Sequence, residues 1–567
     1  MKLNFNKIMI NSVFSRIAFT LITVLFLGSC GLESMFSKFN TLNFKVTPTQ
    51  VETHGGMIDI SLEVTIPEKY FQKNAEVEFK AALAASADSE KKVFFDAVKL
   101  QGEKVSSNGQ TIGYITGGKF TYKGSVSYSP EMMNYDLFAT AIATMNDKVK
   151  NLGSVKIADG VMATATRVRN DEQAAFSDHS YEKETILEES AVIYFSVNQS
   201  VVRYSQKSSN DIARLKEFAK KGYQTKNIEI KSYASPEGST DINDKVSDNR
   251  SKSTFSYAKQ LMRQLKVDGA RNDDTYINTS MGEDWSGFSS LVNSSKLKDK
   301  TKILNVVRSQ KDPQKREETI RDMSEIYDAI EEDVLPKLRK ATITLRAYEP
   351  KKSDEEIATL AITDPSQLDI KEMLYAAHLA NNSSIKTTIY KAICSAFPDD
   401  HRAYNNLACL NIENKDYNKA KMNLGNAEKL NAKASEVVEN KGILAAIKGD
   451  IEQASELYNK SNASDINRGI LAIKQGNYSI AVSKLIGQGY NATLAQILNG
   501  NNVLTNEKTA EADYLNAVSS ARSGNTQQCL EFLKNAIDKN DDYKSQAIED
   551  IEFIKISTNE AFISLMK

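Results

Sequence analysis

Residues 401–432 read HRAYNNLACLNIENKDYNKAKMNLGNAEKLNA. Tyr404, Leu407, Ala408, Tyr417, Ala420, Leu424 and Ala427 recur there at helical steps, the spacing that collects side chains on one helix face. Ala408, Ala420 and Ala427 are small where two paired helices would approach most closely. Downstream, Gly442, Gly449-Asp450, Ala454 and Tyr458 fall in step, and Ala454 lies 34 residues after Ala420. Gly469, Gly476-Asn477-Tyr478 and Ala481 repeat the motif after a shortened interval, and Ala517, Gly524, Cys529, Leu533 and Ala536 repeat it again. Residues 373–398 read as a divergent first copy. A period of this length marks a stacked repeat architecture rather than a generic helical bundle.

These offsets resemble the tetratricopeptide repeat (TPR). The resemblance implies five helix pairs, some imperfect, over residues 353–567, forming a short α-solenoid. It also implies protein partners bound as segments along the concave groove.

Upstream, residues 185–350 have a different texture. The run 191–197 (AVIYFSV) reads as a buried strand, followed by an amphipathic helix over Asn210–Lys220 with Ser209, Asn210 or Asp211 as its cap. A second strand, 228–233 (IEIKSY), leads into ASPEGS at 234–239 and NDKVSDNRS at 243–251, then a long helix. Tyr233, Ala234, Ser235, Gly238, Ser239, Asn243, Val246, Ser247, Arg250 and Ser251 carry a resemblance to the OmpA-like peptidoglycan-binding domain. Residues 276–278 and 338–345 resemble that family's last two strands. The resemblance implies an α/β fold and a clamp on the diaminopimelate of a peptidoglycan stem peptide. In such a clamp an Asp binds the ammonium, and an Arg grips the carboxylate through two parallel hydrogen bonds. Here Arg250 stands at the Arg position, but Ser235 replaces the Asp, with Glu237 two residues on. The residues expected at the wall site are therefore Ser235, Glu237, Asn243 and Arg250.

An insertion departs from that family's pattern. It begins with MGEDWSGFSSLVNSS at 281–295 and continues as charged helical sequence, so a helical insert is expected over about 284–336. Trp285, the single tryptophan, sits at its start. Glu283 and Asp284 are adjacent, and neighbouring residues on a strand face opposite ways. A cap and packing anchor is the expectation, with a catalytic carboxylate pair as the alternative. The arrangement resembles a variant of the domain frequent in envelope proteins of Bacteroidetes.

Residues 42–170 alternate with period two. In Met57–Ile66, Ile58, Ile60, Leu62, Val64 and Ile66 face one way and Asp59, Ser61, Glu63 and Thr65 the other. Phe120, Tyr122, Val126 and Tyr128 alternate likewise. This predicts half-buried antiparallel strands in an all-β, sandwich-like domain.

At the N-terminus, Lys2, Lys7 and Arg16 precede an apolar run at 17–27, which is shorter than the roughly 20 residues a membrane span needs. Leu27-Gly28-Ser29-Cys30 resembles the bacterial lipobox. That resemblance implies a signal peptide over residues 1–29, a lipid on Cys30 and a lipidated linker over 30–41. No Asp follows the cysteine, which implies outer-membrane sorting on the periplasmic face. A plain secretory leader is the alternative.

The 567 residues carry a net charge of −1, so no basic field advertises nucleic-acid binding. Beyond Cys30, the three remaining cysteines are scattered and do not make a disulfide framework. His54, His179, His378 and His401 lie in different segments without metal-ligand spacing. No nucleophile elbow or phosphate loop occurs. The chain thus reads as a non-enzyme with no cofactor beyond the covalent lipid. Two scaffold roles are expected: a tether of the outer membrane to peptidoglycan, or an accessory of an outer-membrane assembly, secretion or fimbrial machine.

Overall fold

The computed structural model describes residues 31–567, so the leader and Cys30 lie outside the described residues. Two compact units emerge: one runs to Asp178 and resumes at Ile393–Lys567, and the other is His179–Ala392.

The first unit opens with two β-sheets. One orders Asn43–Thr47, Met57–Ile66, Val51–His54 and Val161–Met162, with Gly118–Ser127 also paired to Met57–Ile66. The other orders Lys148–Ala158, Asp136–Met145, Glu76–Ala84, Val98–Gly102 and Gln110–Ile112. The alternation in Met57–Ile66 is realised: every second residue from Ile58 to Ile66 is buried. Side chains of the two sheets meet in one core, where Phe79 lies edge-on to Phe120 at 5.2 Å and to Tyr122 at 5.5 Å. Two short strand pairs, at Val51–Val161 and Leu100–Gln110, are parallel rather than antiparallel.

The expected linker after Cys30 is not a linker in its described part. Residues 31–38 are helical, and Leu32, Met35 and Phe39 are buried in the sandwich core. Their three- and four-residue spacing aligns them on one face, and Lys150 pairs with Glu33 at 2.9 Å.

The same unit holds a tandem array of helical hairpins. His401–Glu413 packs on Tyr417–Leu430, Ser435–Lys448 on Ile451–Lys460, Asp465–Lys474 on Tyr478–Lys484, and Ala510–Arg522 on Thr526–Lys539. Tyr490–Leu498 is a single helix between the last two pairs. Small residues make the close approaches: a Cβ on Gly442 would sit 2.6 Å from the Tyr458 ring. The division between the two units falls inside the region expected as one repeat domain from residue 353. Helices Asp354–Thr363 and Ile370–Leu379 belong to the second unit. There Tyr375 donates to Asp354 at 2.9 Å, Lys183 pairs with Asp354 at 2.8 Å, and Tyr181 stacks on Tyr375 at 4.7 Å.

The second unit is built on a four-stranded sheet ordered Ile186–Tyr194, Lys340–Tyr348, Thr225–Ala234, Tyr276–Glu283. Only the last pair is parallel. Helices Asn210–Lys220 and Thr240–Gln264 cover its apolar face around Ile193, Ile230, Leu215, Ala258 and Ile343. Between the last two strands, Trp285–Leu338 folds into short helices around Phe288, Val292, Ile303, Ile320 and Leu338, with Trp285 against them. Among the described residues no helix is long and apolar enough to cross a membrane.

Candidate functional site

Among the described residues, one polar constellation in each unit bears on function. The first lies on the inner face of the helical array. Segment 168–178 leaves the sandwich without regular secondary structure, so its backbone N–H and C=O groups need partners from elsewhere. Asparagines on the first helices of three hairpins and on the single helix Tyr490–Leu498 supply them. Asn491 accepts from the Arg169 N–H at 3.0 Å and donates to its carbonyl at 2.9 Å. Asn467 does the same for Gln173 at 2.7 and 2.9 Å, and Asn440 for Ala175 at 2.8 and 2.8 Å. Asn406 completes the ladder on Ser177 at 2.7 and 3.2 Å. A carboxamide offers one acceptor and two donors, so it fits an extended residue's N–H and C=O together. Because residues 173, 175 and 177 alternate, one edge of an extended strand faces the array.

Side chains fix the register of this segment. Arg167 pairs with Asp550 at 2.7 Å and lies 4.3 Å above the Tyr514 ring. Arg169 reaches Glu507 at 2.6 Å and Glu511 at 2.7 Å, with its guanidinium 3.7 Å from the Tyr490 ring. A cleft of about 340 Å³ opens beside the two arginines. Lys474 meets Glu172 at 2.8 Å, and Ser177 donates to Glu436 at 2.8 Å. Beneath the strand, the Cys409 thiol donates to the Ala175 carbonyl at 3.2 Å, and burial pushes that thiol well above its ordinary range. These contacts help to explain why residues 405–410 are buried all round their helix. The face of the array that carries these asparagines holds the chain's own segment.

Sequence reasoning missed the asparagines. Asn406 and Asn440 are 34 residues apart, the interval already visible between Ala420 and Ala454.

The second constellation gathers the residues expected to bind peptidoglycan. Ser235 is buried after the second strand and donates to Glu237 at 2.5 Å. Glu237 is held from the other side by a fork of two bonds from Arg339, at 2.7 and 2.9 Å. Gly238, at φ +93°, donates its N–H to Glu317 of the insert at 2.5 Å. Burial pushes the Glu317 carboxyl up from its ordinary value. Asn243 donates to Glu283 at 2.8 Å, and Glu283 also accepts from the Trp285 indole at 2.8 Å. Asp284 caps the helix behind it, accepting from the Gly287 N–H at 2.7 Å.

Arg250 is 1% exposed. Its Nε donates to the Gln199 carbonyl at 3.0 Å, and its two terminal nitrogens donate to the Tyr233 and Ser196 carbonyls at 2.8 and 3.3 Å. Burial, with Arg339 nearby, pulls this guanidinium down to about 10, so it stays cationic at neutral pH. Ser235 and Glu237 come together, Asn243 sits apart on Glu283, and Arg250 turns inward to backbone. Each carboxylate at this site already has a partner from its own unit. Among the described residues no group of three or more His, Cys, Asp or Glu is arranged to hold a metal ion.

A scan against protein-family models finds no match. A search of curated proteins also finds none. Solved structures do show likeness. YrrB, described as a TPR protein with an unusual peptide-binding site, is 15% identical, with 31% of this chain and 88% of that one covered and a TM-score of 0.21. PilW, a widely conserved type IV pilus biogenesis factor, is 13% identical over 38% of this chain and all of that one, at 0.19. Yeast Tom70 is 11% identical over 57% of this chain and 84% of that one, at 0.21.

Proposed function

We propose that this chain is a non-catalytic scaffold lipoprotein of a bacterial outer membrane, anchored through Cys30 on the periplasmic face and serving a protein assembly there. The observation that carries the reading is the asparagine ladder. Four carboxamides aimed at one extended backbone make a surface for holding polypeptide. The lipobox at 27–30 supplies the anchor.

The OmpA-like reading of the middle unit enters as fold rather than as wall binding. Arg250 serves as an internal strut and Glu237 as the partner of Arg339, so neither is presented to a stem peptide. The accessory role in an assembly is therefore preferred to a peptidoglycan tether.

The test is fractionation of cells carrying the full chain, cross-linked before lysis. The parent is expected in the outer membrane with a discrete set of envelope proteins attached, and Cys30→Ala in the soluble fraction. A chain that fractionates as soluble, or that cross-links to no envelope protein, overturns the reading. Purified protein should stay in solution with sacculi; its pelleting would restore the tether.

A further inference from the structure

The segment on the ladder is an imperfect ligand for the site it fills. Its backbone is read completely at residues 169, 173, 175 and 177. Yet Arg169 Nε, Glu172 Oε2 and Tyr458 Oη are buried without a hydrogen-bond partner. Buried polar atoms left in this state oppose binding. The segment's apolar contacts are few: Phe176 is 40% exposed, and Val168 and Ala174 pack only partly buried against the helical cores. It is held by amides and ion pairs, which another polypeptide could supply equally well.

We infer that the inner face of the array is a receptor site for an extended polypeptide, that residues 167–177 occupy it as a pseudo-ligand, and that a partner segment displaces them. The built features define the ligand class. Asp550 with Tyr514, and Glu507 and Glu511 with Tyr490, make two cation pockets two residues apart. Lys474 makes an anion pocket three residues further on. Asn440, Asn405 and Cys409 close over the backbone of Ala175, where a small residue sits. The ligand is thus an extended segment of pattern Arg-x-Arg-x-x-acid-x-x-small. The ladder reads backbone and sets conformation, whereas the pockets read charge and set sequence. The two ends of the resident segment are joined to folded chain, which places it at an effective concentration on the order of millimolar and keeps the site closed until a ligand arrives.

This inference rests on the scaffold reading above and has a separate point of failure. A fluorescein-labelled peptide of sequence 163–178 is titrated into three forms of the chain starting at residue 31. These are the parent, an Arg167→Ser/Arg169→Ser/Glu172→Ser variant, and that variant with Asn440→Leu and Asn467→Leu added. The triple variant is expected to bind the peptide, the parent about 100-fold more weakly, and the five-fold variant not at all. Maleimide labelling of Cys409, read by mass spectrometry, should be rapid in the triple variant and suppressed again by the peptide. In the parent, saturating peptide should raise hydrogen exchange in residues 169–177.

A folded triple variant that ignores the peptide overturns the inference, as does binding that survives loss of the asparagines. If the triple variant fails to fold, the parent decides: no rise in exchange at about 1 mM peptide means the segment is a permanent part of the fold. None of these outcomes decides the scaffold reading, which fails if the chain fractionates as soluble or cross-links to no envelope protein.

Discussion

Replacing Arg250 with Ala separates a strut from a ligand clamp. The guanidinium is buried and spends all three nitrogens on the carbonyls of Gln199, Tyr233 and Ser196. Hydrogen bonds from a charged donor contribute about 1.5–3 kcal/mol each, and a buried carbonyl left without a partner costs about 1–3 kcal/mol. These contributions share one side chain and do not add, so a loss of about 3–5 kcal/mol is expected, at the upper end of single substitutions. Trp285, the chain's single tryptophan, lies in the same unit and reports its unfolding by fluorescence. With a urea dependence of about 2 kcal/mol per molar, the midpoint of that transition should fall by roughly 2 M. Arg250→Lys should recover little, because an ammonium cannot span three divergent carbonyls. An arginine kept to grip a ligand would leave the midpoint unchanged. A shift in the Ala variant below about 0.3 M would therefore refute the strut and return Arg250 to wall binding.

Asn440→Ala removes both bonds to Ala175, together with one to Asn405 at 2.9 Å. A local loss of about 2 kcal/mol should raise the labelling rate of Cys409 some 30-fold, and an unchanged rate would show that the ladder holds nothing. Gly442→Ala drives a methyl into the Tyr458 ring and should lower the unfolding temperature of the first unit, as a melt followed by circular dichroism would show. His54 is raised above its ordinary value chiefly by its hydrogen bond to Glu52, and its Nδ1 lies 3.1 Å from the Tyr478 hydroxyl. A raised histidine stabilises fully below pH 6.5 and loses that contribution as pH rises through its folded value. Stability of the first unit should thus decline from pH 6.5 upward, and His54→Gln should flatten that slope in melts taken across pH.

Much of this fold was legible because its signals are local. Ile58 to Ile66 alternate within one strand, and the alanines and glycines of the hairpins sit where helices touch. The motif around Ser235, Gly238 and Arg250 was also readable as a strand, turn and helix. The surroundings of these residues were not. Arg250 binds carbonyls at 196 and 199, some fifty residues upstream, and Glu237 meets Arg339 about a hundred residues downstream. Position in a motif says which side chain stands there but not which way it turns. Segment 168–178 was illegible for a related reason. Rich in Arg, Asn, Asp, Glu and Gln, it has the composition of a solvated linker, yet its partners lie more than two hundred residues away. Asparagine on a helix reads as surface until the repeat period shows it returning to one face. The helix at 31–38 was hidden by its nearness to the lipobox, where a tether is the usual expectation.

With the lipid anchor proposed at Cys30, that helix would become a gauge of height. Leu32, Met35 and Phe39 belong to the sandwich core, so only Gly31 separates Cys30 from packed structure. With acyl chains on Cys30, the sandwich would ride on the bilayer at a fixed elevation instead of drifting at the end of a leash. Flexible residues added after Gly31 would raise it by at most about 3.5 Å each while leaving the core untouched. A graded set of such insertions would then serve as a ruler. The length at which cross-links to the envelope partner disappear would measure how far above the membrane that partner stands.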